Sequence, residues 1–200
     1  MNTGDKYKVN ANQGEHKVLP NKLGITRIDK IEEEEAKGFI NASVELSLSL
    51  DENVKFDYVY IMNIHRLALE HLYEFAGQER EVNMSKGGFS FPPARFLKAS
   101  MLEFDKNILS EIPSDYSSKE TLIEHIGKVH GELLYIHPFR EGNGRTARLL
   151  ANLMAYKAGY DRLKFEKLDS DEMFNKYIDA IQKAGLKQYQ PMIDIISLLI

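Results

Sequence analysis

From Thr26 to Ile200 the apolar residues recur three or four positions apart with a single interruption, which commits the chain to packed helices rather than a sheet. The spacing predicts a first helix from about Thr26, whose hydroxyl can cap free N–H groups, with Ile28, Ile31, Phe39 and Ile40 turned to a core. The four acids Glu32 to Glu35 read as its solvated face. Asp51 is the expected cap of a second helix through Val59, Met62, Leu67 and Leu72. The period fails between Arg80 and Phe91. There Val82, the pair Gly87-Gly88, Phe89 and Phe91, closed by Pro92-Pro93, read as a short β-hairpin. Helical spacing resumes over 94–109. Ser117 and Glu120 then form a capping-box pair ahead of Leu122, Ile126, Val129 and Leu134. A further helix is expected from Asn143 to a stop at Gly159, another from a cap at Asp169 and Glu172 to Gly185, and a last one with Pro191 in its first turn. The expected fold is all-α with one hairpin, a single domain over 26–200 behind a polar arm over 1–25.

The whole chain excludes several classes of function. Its net charge of −4 comes without a run of basic residues, so nothing favours nucleic acid. No apolar run approaches the roughly eighteen residues of a membrane span. Met1 to Asn10 is polar and carries no apolar signal segment. There is no cysteine, which removes disulfides, thiolate metal sites and cysteine nucleophiles. These features suit a cytoplasmic protein and leave export as an effector open.

Chemistry concentrates in His137-Pro138-Phe139-Arg140-Glu141-Gly142-Asn143-Gly144-Arg145-Thr146-Ala147-Arg148. Pro138 disfavours helix at His137, so the preceding helix should end there. Gly142 and Gly144 let a ligand approach the main chain, and Asn143 between them tolerates a left-handed conformation. A glycine-rich loop feeding a helix N-terminus is a phosphate-binding arrangement. Arg145 and Arg148, three apart, share one face of the first turn, and their forks suit phosphate oxygens. Glu141 sets a hard carboxylate beside them, a natural partner of Mg²⁺. His137 adds a group that titrates near neutrality, the usual general base. Phe139 is the expected anchor of the loop in the core. Together these elements ask for a nucleotide.

The segment matches the Fic-family signature His-Pro-Phe-x-(Asp/Glu)-Gly-Asn-Gly-Arg-x-x-Arg at every defined position, and the chain resembles that family. Asn21 to Thr26, Ile64-His65, Tyr73 to Gly77 and Arg80 extend the resemblance over about 20–200, with Phe75 where tryptophan is common. The resemblance implies a protein adenylyltransferase using ATP and Mg²⁺. In that reading His137 deprotonates a Tyr, Ser or Thr hydroxyl of a target protein, and Glu141 holds the metal. Gly142, Asn143 and Gly144 cradle the phosphates, and Arg145 and Arg148 neutralise the pyrophosphate end. It further implies that Asn175 and Tyr177 line an adenine pocket. Met84, Ser85, Lys86, Gly87, Gly88 and Phe89 would form a flap that docks the target strand.

Many Fic proteins carry an inhibitory (Ser/Thr)-x-x-x-Glu-(Gly/Asn) helix. No serine or threonine here has a glutamate four residues later, so inhibition is expected from a separate small antitoxin-like protein or is absent. Three alternatives stay open: transfer of another phosphate-containing group (kinase or phosphocholine type), a non-catalytic nucleotide-binding module, and a zinc site on His130, His137 and Glu141. Pro138 and Gly142 break the helix that the zinc site needs. His16, His65, His71 and His125 read as structural or surface residues.

Overall fold

A computed structural model of the chain describes residues 18–86 and 88–200. Among them run α1 (Ile28–Leu48), α2 (Tyr58–Leu69), β1 (Ser85–Lys86), β2 (Phe89–Ser90), α3 (Leu97–Asn107), α4 (Lys119–Ile136), α5 (Asn143–Lys157), α6 (Asp171–Ala184) and α7 (Gln190–Leu199). The two strands pair antiparallel, Ser85 with Ser90 and Lys86 with Phe89. The all-α architecture with one hairpin is therefore as the apolar spacing requires. No helix among the described residues is long and apolar enough to cross a membrane.

Several helices start elsewhere than expected. Arg27, not Thr26, precedes α1, and no side chain caps it. Asp57 caps α2 by accepting from the Tyr60 N–H at 2.7 Å. Asp51 instead closes an earlier turn, accepting from the N–H groups of Asn53 and Val54. Ser118 caps α4 and Ser170 caps α6, each one residue from the expected position. Neighbouring Ser and Asp residues are all competent caps, and the packing of the apolar face decides which one is used.

α4 is the central element, packed against α5, α6 and α7, while α1 lies on α2 and reaches α5. Leu122, Ile126, Val129, Leu133, Leu150, Met154, Met192 and Ile196 are essentially inaccessible. The buried face of α1 is Ile31, Glu35, Gly38, Phe39, Ala42 and Leu46. Ile40, expected inward, is 62 % exposed, because it follows Phe39 by about 100° around the helix. Val59 on α2 is exposed for a like reason; Ile61, Ile64, His65, Ala68 and Leu69 face the core instead.

α1 and α2 approach closely at Gly38, where a Cβ would lie 2.0 Å from the main-chain oxygen of Ala68 and 2.5 Å from His71. A backbone carbonyl inside a helix cannot yield, so Gly38→Ala overpacks the crossing. A net loss of about 1–3 kcal/mol is expected in urea unfolding, despite the better helix propensity of alanine. An unchanged midpoint would mean that the two helices slide apart freely.

Candidate active site

α4 ends at Ile136 because Pro138 follows, and His137 takes the cap position in a left-handed conformation, φ 53° and ψ 58°. A residue other than glycine holds that conformation only where its surroundings fix it. The His137 ring Nδ1 lies 3.2 Å from the Leu134 carbonyl oxygen. A carbonyl only accepts, so Nδ1 carries the hydrogen and Nε2 keeps its lone pair. Phe91 stacks on the ring at 3.8 Å. Burial pushes the imidazole down to about 3, and the charges of Lys86 and Arg80 act in the same direction against the Leu134 bond. His137 is thus neutral at pH 7, the form a base requires.

The loop beyond is clamped from inside. Phe139 is fully buried, as expected, and stacks on His65 at 3.8 Å. The Asn143 side chain accepts from the Phe139 N–H at 2.8 Å and donates to the Phe139 oxygen at 2.7 Å. The left-handed residue is Gly142, φ 77°, while Asn143 is already helical. His65 Nδ1 accepts from the Gly77 N–H, so its Nε2–H donates to the Glu141 main-chain oxygen at 3.0 Å. Spacing alone gave His65 no such role; its place on the buried face of α2 was the available signal. A Cβ at Gly144 would meet nothing within 4 Å, so the first turn of α5 opens onto free space.

The charged groups converge on Arg145. Its Nη2 donates to Glu35 Oε2 at 2.8 Å and to Glu141 Oε1 at 3.2 Å. Tyr73 donates to the other Glu35 oxygen at 2.5 Å, and the Gly142 N–H donates to Glu141 Oε1 at 2.7 Å. Glu35 is buried, which corrects the expectation that the whole 32–35 run is solvated. The Glu35 carboxylate faces the core where Arg145 supplies its counter-charge. Burial works against the Arg145 charge, yet Glu35 and Glu141 outweigh it and raise the guanidinium.

Arg148 lies over the Phe165 ring at 5.4 Å, and its Nε is buried without a hydrogen-bond partner. Tyr177, expected to line an adenine pocket, is 3 % exposed and sits inside the core. His130 donates from Nδ1 to the Ala147 oxygen, so its Nε2 accepts from the Tyr177 hydroxyl at 2.6 Å. Both His130 nitrogens are thereby engaged, which leaves neither for a zinc ion. Asn175 is exposed on α6. In the hairpin Met84 is buried, Ser85, Lys86 and Phe89 are half-buried, and Gly88 is an exposed turn residue. Gly87 lies outside the described residues, as do 1–17 of the expected arm, including His16. Burial pushes Lys86 down to about 7, opposed by the Glu141 charge.

Three histidines shielded from water, His65 and His130 buried and His137 half-buried, make stability depend on acid. His65 is lowered from 6.5 to about 4, and His130 and His137 to about 3, each chiefly by burial. The unfolded chain binds protons near pH 6.5 that the folded chain refuses until pH 3–4. Stability is therefore full above that window and falls as pH drops through it, by up to about 1.4 kcal/mol per pH unit for each histidine. A lower urea midpoint is expected at pH 5 than at pH 7, and equal midpoints would contradict neutral burial.

A family model described as the Fic/DOC family matches residues 55–155. The chain is 27 % identical over 180 residues to the Protein adenylyltransferase Fic of Drosophila willistoni, covering 90 % of this chain and 35 % of that protein. It therefore spans about a third of the length of the curated relatives it matches. The fold superposes with a TM-score of 0.76 on the VirB-translocated BepC protein of Bartonella tribocorum, solved with bound AMPPNP, at 23 % identity over 94 % of both chains. The score is 0.71 with the N-terminal Fic domain of a Bartonella quintana Bep effector bearing ADP, at 24 % identity over 90 % of this chain and 88 % of that one.

Proposed function

The chain belongs to the Fic/DOC family, and from that premise we propose that it transfers AMP from ATP to a tyrosine, serine or threonine hydroxyl of another protein. The observation that carries this reading is the geometry of His137, whose Nδ1 hydrogen is committed to the Leu134 carbonyl so that the lone pair sits on Nε2. The Nε2 lone pair takes the proton of the target hydroxyl as its oxygen attacks the α-phosphorus. The bond from that phosphorus to the bridging oxygen breaks, and pyrophosphate leaves. Transfers of this kind draw their rate mostly from positioning and charge stabilisation.

The other residues have complementary parts. The N–H groups of Asn143 and Gly144 open α5 and suit phosphate oxygens, and that of Gly142, held here by Glu141 Oε1, joins them once that carboxylate turns to the metal; the free space at Gly144 supports a close approach there. Arg145 and Arg148 oppose the charge of the leaving pyrophosphate, and the unpartnered Arg148 Nε is a donor that a phosphate oxygen satisfies. Tyr177, whose hydroxyl interacts with Arg148, steadies that side chain, and the exposed Asn175 contacts the base. Among the described residues no three acids or histidines gather as a metal cage. The single, partly exposed carboxylate of Glu141 fits Mg²⁺, an ion that takes most of its ligands from phosphate and water. Bound there, Mg²⁺ neutralises phosphate charge. The hairpin from Met84 to Phe89 docks the target as an added strand. The name of the Drosophila relative and the AMPPNP held by BepC favour this donor.

We propose further that a separate small protein restrains the chain, and that it acts in the cytoplasm of the producing cell or, after export, of another. The test of the activity compares ATP labelled at the α- and at the γ-phosphate, with Mg²⁺ and a lysate of the chain's own cells. Label on protein from the α-position alone is expected. Transfer from the γ-position alone would make the chain a kinase and defeat the proposal.

A further inference from the structure

Arg80 lies ahead of the hairpin, outside the motif loop, and is 4 % exposed. A buried cation is costly unless its donors are met, and burial alone moves this one, down to about 10. Its guanidinium is spent on three main-chain carbonyls. Nε donates to His137 at 2.8 Å, Nη1 to Val82 at 2.6 Å and Nη2 to Pro92 at 2.7 Å. The Arg80 N–H donates in addition to the Pro138 oxygen at 2.8 Å. Val82 stands before β1 and Pro92 after β2, so one fork grips both legs of the hairpin and the residue whose ring is the base. The second leg returns to that ring, since Phe91 stacks on His137 and its N–H closes the hairpin on the Met84 oxygen at 3.1 Å.

We propose that Arg80 is a positioning residue that joins the hairpin and His137 into one rigid unit, so that a target strand docked on the hairpin reaches the base in fixed register. The three carbonyls accept from a planar fork, and a lysine ammonium cannot span them. The left-handed backbone of His137 has its carbonyl tied by this fork while the imidazole is held by Leu134 and Phe91. The phosphate loop is clamped independently by His65 and Asn143, so loosening Arg80 separates target placement from nucleotide binding. The functional consequence rests on the AMP-transfer reading; the geometry does not.

Arg80→Lys tests this in the whole chain, by amide hydrogen exchange, ATP titration and label transfer from α-labelled ATP. Exchange over 82–92 is expected to rise at least about tenfold, as a locally opened segment does. Transfer at saturating ATP should fall about a hundredfold, the cost of misplacing a reacting group, with ATP affinity within about threefold of the native chain. Unchanged exchange and transfer would overturn the proposal. So would a folded variant that loses ATP affinity in proportion to its thermal midpoint, for Arg80 would then serve the fold alone. Should Arg80→Lys not fold, Phe91→Leu decides, since it leaves the buried cation satisfied. That variant is expected to keep ATP affinity and lose about tenfold in transfer at saturating ATP, and an unchanged rate would refute the coupling. A native chain that transfers nothing, yet shows the exchange change in Arg80→Lys, would defeat the proposed activity and leave the coupling standing.

Discussion

Replacing His137 by alanine is expected to slow AMP transfer about a thousandfold while leaving ATP affinity within about threefold of the native value. The separation follows from where the bonds lie. The ring of His137 touches Leu134 and Phe91, whereas the loop that faces the phosphates is held by Asn143, His65 and the start of α5. Arg80 binds the main-chain oxygen of residue 137, which alanine retains. Single-turnover transfer and calorimetric ATP titration measure the two quantities on the same protein. A large loss of affinity in His137→Ala would show that the ring holds the loop together. A rate within tenfold of native would remove His137 as the base.

Arg145→Ala is expected to do harm twice. The guanidinium is the counter-charge of Glu35, a buried carboxylate whose other hydrogen bond comes from Tyr73. Arg145 is partly exposed, but removing it strands the buried Glu35 carboxylate with Tyr73 alone, at a cost of about 3 kcal/mol in unfolding free energy. The same change withdraws one of two arginines from the phosphates, and ATP affinity should fall at least about tenfold. Glu35→Gln in the same chain distinguishes the two effects. The double variant is expected to regain most of the lost stability, because no charge is stranded, and none of the lost affinity. If stability stays low in the double variant, Arg145 contributes by packing on Phe39 and the ion pair is incidental.

What was legible in the sequence was what is local. The 137–148 loop carries its base, carboxylate, glycines and arginines within twelve consecutive positions, so their convergence needs no knowledge of the fold. The hairpin showed itself by the failure of helical spacing between Arg80 and Phe91. The residues that support the site were hidden because their partners are distant. Glu35 meets Arg145 across 110 positions, and Arg80 meets His137 across 57. A signal for Glu35 did exist: Ile31, Glu35, Phe39, Ala42 and Leu46 share one helical face, which places one acid of the run inward. The charge of the four-residue run obscured it. Asn143 between two glycines suggests a residue chosen for an unusual backbone, whereas its amide is the internal clasp of Phe139. Nothing in the spacing of Tyr177 reveals that His130 claims its hydroxyl.

The central claim is that a protein hydroxyl, deprotonated by His137, displaces pyrophosphate from the α-phosphorus of ATP. Quantifying both products in one reaction, protein-bound AMP and free pyrophosphate, tests it most directly. The account requires the two in equal amounts, and neither in His137→Ala. ADP in place of pyrophosphate, or pyrophosphate without AMP on any protein, would contradict it.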